Sequence, residues 1–100
     1  MIIPFQKWTP KLGKNAWIAE GASVIGRTTM GEDSAVWFGC VVRGDVHHIH
    51  IGDRTNIQDL SMVHVTHHKK PDESDGHPTI IGSDVTVGHR VMLHGCTIED

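Results

Sequence analysis

The sequence predicts an all-β fold, a parallel β-helix whose short strands wind round a triangular prism. Three observations predict it. Aliphatic side chains recur every six residues, at Ile18, Val24, Met30, Val36 and Val42, then at Ile51, Ile57 and Val63, then at Ile81, Val87 and Leu93. Four residues after all of these except Val63 stands a small or β-branched side chain: Ala22, Thr28, Ser34, Cys40, Val46, Thr55, Ser61, Val85, Val91 and Thr97. No stretch shows the apolar period of about 3.6 residues that an amphipathic helix needs. In each hexad the aliphatic residue points inward and the small one fits where the chain bends. Glycine directly after the aliphatic residue, at Gly31, Gly52, Gly82 and Gly88, is expected to take up turn dihedrals that other residues resist. One hexad cannot bury its inner face alone. Three close a coil of about 18 residues, and coils stack as parallel strands about 4.8 Å apart.

Along the chain, residues 1–17 carry no hexads and are expected to cover the open end of the first coil. Hexad coils follow over residues 18–98, so that residues 1–100 form one domain. From Val42 to Ile51 the spacing is nine residues, three more than a hexad. From Val63 to Ile81 it is eighteen, room for a whole coil, yet Thr66 to Pro78 offers no aliphatic side chain to point inward. Residues 66–78 are therefore expected to form an excursion that adds about twelve residues without adding to the winding, and long loops of this kind are often functional. The chain stops at Asp100, directly after a hexad. A solenoid needs its last coil covered, so further C-terminal coils and a helix are expected to be missing, or something else covers that end.

Composition narrows the function. The net charge is −3 and the pI about 6.3, so no basic field is present to hold nucleic acid. No apolar run approaches the roughly 18 residues of a membrane span, and the N-terminus lacks the order of a signal peptide. Cys40 and Cys96 are too few for a disulfide framework. A cytoplasmic protein is expected. Nine of the 100 residues are histidine, a common metal ligand that also titrates near neutrality.

Hexads place those histidines. Ile51, Ile57 and Val63 begin faces a, b and c of one coil, and Ile81, Val87 and Leu93 begin the same faces of the next. His64 and His94 each take the second position of face c. They are 30 residues apart, and removing the twelve of the excursion leaves 18, one full turn. Their imidazoles should stack and point outward, able to share one metal with Zn–N distances of about 2.0–2.1 Å. His89 stands third in its hexad on face b, near the corner before face c. One chain does not bring it round to the other two, whereas a neighbouring copy about a three-fold axis would, completing a His₃ site with a fourth position open. On spacing alone the alternative stays open that the trio is ordinary surface. His47, His48, His50, His67, His68 and His77 are read as solvated or loop residues.

The motifs R-G-D (43–45), N-I-Q-D (56–59), V-H-V-T-H (63–67) and V-G-H-x-x-x-L-H-G-C (87–96) resemble those of the gamma-class carbonic anhydrase family, within the left-handed hexapeptide-repeat superfamily, from about Trp17 to the end. The resemblance implies a left-handed β-helix, a homotrimer, a metal at each subunit interface, and reversible hydration of carbon dioxide to bicarbonate. It implies His64 and His94 from one subunit and His89 from its neighbour as metal ligands. Zinc is the expected metal, and Fe²⁺ or Co²⁺ accept the same ligands. Arg43 and Asp45 match residues that form ion pairs near the interface, with Asp59 the expected partner of Arg43. Gln58 matches a residue that hydrogen-bonds the metal-bound water or bicarbonate, and Asn56 is expected to support the turn beneath it. Val46 and His67 stand where active members carry acidic residues for moving protons, a task that His67, His68 or Glu73 would have to take over. The alternatives on this scaffold are a metal-assisted thioesterase or other hydrolase, a hexapeptide acyltransferase using a histidine base without metal, and a non-catalytic scaffold.

Overall fold

The computed structural model describes residues 1–100 as strands and turns with no helix. The strands are β1 (Ile2–Ile3), β2 (Lys11–Leu12), β3 (Trp17–Ile18), β4 (Ser23–Met30), β5 (Ala35–Val36), β6 (Val41–Ile51), β7 (Asn56–Ile57), β8 (Met62–His64), β9 (Thr79–Ile81), β10 (Thr86–Val87), β11 (Met92–His94) and β12 (Thr97–Ile98). All pair in parallel, and their registers resolve into three columns. Face c stacks Ile2, Val24, Val42, Val63 and Leu93. Face a stacks Leu12, Met30, Ile51, Ile81 and Ile98. Face b stacks Ile18, Val36, Ile57 and Val87. Partners lie 18 residues apart in a regular coil (Val24 and Val42), 21 across the three-residue insertion (Val42 and Val63), and 30 across the polar excursion (Val63 and Leu93). The excursion therefore adds twelve residues and no winding.

Hydrophobic burial holds the prism together. Val24, Val36, Val42, Ile51, Ile57, Val63 and Ile81 are 0% exposed. The small residues at the bends do more than fit. Thr55 donates its hydroxyl to the Gly82 carbonyl at 2.6 Å and accepts from the Val85 amide at 3.1 Å. Ser61 does the same with Gly88 and Val91, at 3.0 and 3.1 Å. Each buried hydroxyl thus ties one coil to the next with both hydrogen-bonding capacities used.

The glycines act differently from the expectation above. Gly31, Gly52 and Gly82 do not have positive φ. They lie backbone on backbone: a Cβ on Gly31 would sit 2.7 Å from the Gly52 carbonyl carbon, and one on Gly52 would sit 2.4 Å from that of Gly82. The left-handed turn positions two residues on are taken by Asp33, Arg54 and Asp84, with φ of 55°, 53° and 60°. These cost about 1–2 kcal/mol each, and coil-to-coil hydrogen bonds offset them. Arg54 forks onto Asp84 at 2.7 and 3.2 Å. The Glu32 amide donates to Asp53 at 2.8 Å, the Asp53 amide to Ser83 at 3.0 Å, and the Ser83 amide to Asp100 at 2.7 Å. Gly52→Ala is therefore expected to destabilise the chain by about 2–3 kcal/mol or more through overpacking. Gly88→Ala, with nothing within 4 Å of the added carbon, should stay within about 0.5 kcal/mol. Urea titration of the two variants measures the contrast.

Four other features stand outside the plain hexad pattern. β4 and β6 run unbroken through the third corner, where Gly26 (φ 67°) lies on Gly44 and the extra residues of β6 bulge out. Residues 1–17 contribute paired strands of their own, β1 and β2. Thr97 is not a buried bend residue: the last turn is one residue shorter, with Ile98 level with Ile81, and Thr97 points outward from β12. The excursion is ordered. Thr66 and His77 close its base with two backbone hydrogen bonds of 2.8 and 3.1 Å. Asp75 accepts from the Lys69 and Lys70 amides. Glu73 reaches Arg27 at 2.6 Å, and Arg27 lies 4.5 Å over the Trp8 ring. No helix is long and apolar enough to cross a membrane.

Candidate metal centre

His64 ends β8 and His94 ends β11, in register on neighbouring rungs of face c. Val63 points into the prism, so the side chain that follows it points out, and the same alternation turns His94 outward from Leu93. The two ring centroids are 5.1 Å apart at 66°. Arg43 follows Val42 in the same column as His64 follows Val63, one rung further along.

A carboxylate holds this group. Asp45 is ion-paired with Arg43. Its Oδ1 lies 2.9 Å from His64 Nε2 and accepts the Val46 amide at 2.7 Å. Burial pushes the Asp45 carboxyl up, but hydrogen bonds from His64, Val46 and Arg43, with the Arg43 charge, outweigh burial and hold it below the usual carboxylate range. An ionised Asp45 fixes which nitrogen of His64 carries the proton and leaves the other as a donor, the arrangement that orients metal-ligating imidazoles. Two imidazoles on neighbouring rungs, one with its tautomer set in this way, are donors of the type that suits zinc.

His89 lies elsewhere, on the corner between faces b and c. It is 67% exposed, and its Nδ1 is 3.3 Å from Asp59 Oδ1. With Trp37 and Gln58 these two residues line a cleft of about 200 Å³. Gln58 is set by its backbone, which donates to the Val87 carbonyl at 2.9 Å, and its own carbonyl receives the buried Cys40 thiol at 3.0 Å. Within one chain no three metal-capable side chains come together. The chain thus presents two half-sites, Arg43–Asp45–His64–His94 on face c and Gln58–Asp59–His89 at the next corner. The expected Arg43–Asp59 pair does not form within the chain. Arg43 stands on face c and turns to Asp45, two residues on, while Asp59 stands at the corner and turns to His89. Asn56 donates to Thr86 on the adjacent coil at 3.2 Å, while its Oδ1 is buried without a partner.

His47, His48 and His68 are not all solvated as the sequence predicts: His47 is 5% exposed and packs between the other two. No hexad rule applies to the insertion or the excursion, so nothing in the period signalled their meeting.

Comparison with known proteins places this geometry. The chain is 52% identical over 95 residues to Protein YrdA of Escherichia coli, covering 95% of this chain and 51% of that protein. It is 52% identical over 91 residues to Gamma carbonic anhydrase 1, mitochondrial, of Arabidopsis thaliana, covering 91% of this chain and 32% of that one. A solved structure of a hexapeptide transferase family protein from Anaplasma phagocytophilum superposes with a TM-score of 0.82 at 37% identity, over 97% of this chain and 52% of the other. The chain spans about half the length of the first and third of these and about a third of the second. No family model matches the chain.

Proposed function

Because the chain belongs to the gamma carbonic anhydrase-like family of hexapeptide-repeat proteins, with their left-handed β-helix, we propose that it catalyses zinc-dependent, reversible hydration of carbon dioxide to bicarbonate in a homotrimer. The observation that carries this reading is the outward His64–His94 stack backed by Asp45, facing away from the only other predicted ligand, His89. In a trimer His64 and His94 of one copy meet His89 of the next, and the cleft holding Gln58 comes with His89. Zinc there supplies Lewis acidity, lowering the pKa of water to about 7, a value for which carbonic anhydrase is itself the standing example. Asp45 holds the proton and orientation of His64. The Gln58 amide, beside His89, orients the oxygens of carbon dioxide or bicarbonate. Arg43 neutralises Asp45, and Asp59 positions His89.

A proton must also leave. Phe5, Asp45, Val46, His67, His68 and Glu73 border one cavity of about 300 Å³. The hydrogen bond and charge of Arg27 hold the Glu73 carboxyl below its usual range, so it stays ionised and pinned. His67 remains on that cavity as the proton carrier.

The transferase name of the structural neighbour favours a second reading, an acyltransferase using a histidine base without metal. Stopped-flow hydration of carbon dioxide, with and without chelator, separates the two. Hydration that disappears on chelation and returns with zinc is expected. A zinc-loaded protein that hydrates no faster than buffer overturns the proposal, and acyl transfer that survives chelation establishes the second reading.

A further inference from the structure

The bulge of β6 at residues 45–48 and the excursion at 66–78 leave the prism at the same edge, and they bring together histidines other than His64, His89 and His94. The His47 ring lies 5.0 Å from His48 and 5.7 Å from His68, and His68 stacks on His67 at 5.1 Å and 7°. Hydrogen bonds sort the ring nitrogens. The His48 amide donates to His47 Nδ1 at 3.0 Å, and the Nδ1 atoms of His47 and His48 are 3.2 Å apart. His68 Nδ1 donates to the Lys70 carbonyl at 3.0 Å, leaving a lone pair on Nε2. The excursion that carries His68 is held against the prism by Glu73 and Arg27.

We propose that His47, His48 and His68 form a second metal site, separate from the shared centre, in which a late divalent transition ion clips the excursion to the β6 bulge. Imidazole donors suit nickel, copper and zinc ions. Two nitrogens about 2.0–2.1 Å from a tetrahedral ion stand roughly 3.3 Å from one another, the separation that the His47 and His48 Nδ1 atoms already have. Three donors do not yet converge. His68 closes the set by moving to another rotamer and giving up its bond to the Lys70 carbonyl, and the ion replaces the His48 amide at His47 Nδ1.

The full chain carrying His64→Ala and His94→Ala, without an affinity tag, isolates this site from the shared one, so the outcome does not depend on the enzymatic reading. Titrated with Ni²⁺ in a calorimeter, it should bind one equivalent per chain. Adding His68→Ala or His48→Ala should weaken that binding about tenfold or more, and His68→Gln repeats the test with less change in volume. Ni²⁺ should also slow tryptic cleavage after Lys69 in the double variant and not in the His68 variants. No nickel uptake by the double variant, or uptake and protection indifferent to His48 and His68, overturns the proposal.

Discussion

Replacing His89 with alanine is expected to lower the zinc content of the assembled protein to that of the His64→Ala/His94→Ala double variant, while each chain stays folded. The two halves of that expectation rest on different physics. His89 is 67% exposed and its one polar contact is Asp59 at 3.3 Å, so its loss should change stability by no more than about 0.5 kcal/mol. As one of the three proposed imidazole ligands it has no substitute: the corner around it offers only Asp59, which is 38% exposed and one rung away. A two-imidazole remnant keeps none of the closure that holds zinc against dialysis. Metal analysis after dialysis, beside a thermal melt, reads both. Zinc retained at the wild-type level, with an unchanged melt, would remove His89 from the centre.

Ile57→Ala should have the largest effect on folding. Ile57 is 0% exposed and sits on face b between Val36 and Val87, one rung to either side. Truncation leaves a cavity in a column that cannot close up, because both neighbouring rungs are pinned by parallel ladders. The cost is about 3–4 kcal/mol, or a fall in Tm of roughly 12–30 °C for a domain of this size, measured at one protein concentration because the proposed assembly would shift the melt. A fall of only a degree or two would mean that the three columns do not form one continuous core.

The winding was legible because one aliphatic residue per face must point inward on every rung. Val24, Val42, Val63 and Leu93 therefore mark a column wherever loops intervene, and that column also set His64 beside His94. What was not legible depends on contacts between coils. The period shows that Gly31, Gly52 and Gly82 recur, but not that each lies against the next while Asp33, Arg54 and Asp84 take the left-handed turn. Arg43 was matched to Asp59 by resemblance, whereas within the chain the shorter reach to Asp45 prevails. His47, His48 and His68 were read as solvated because the insertion and the excursion obey no hexad. Their meeting is a property of one shared edge of the prism.

Mixing tests the proposed shared centre most directly. His64→Ala chains and His89→Ala chains are each expected to form trimers without a complete centre. A trimer containing both has one boundary at which an intact His64–His94 pair faces an intact His89. Random assembly of equal amounts should restore zinc to about a quarter of the sites above the double-variant background, as counted by metal analysis of the co-assembled protein. Mixed trimers, verified by native mass spectrometry, that hold no zinc above that background would contradict the account.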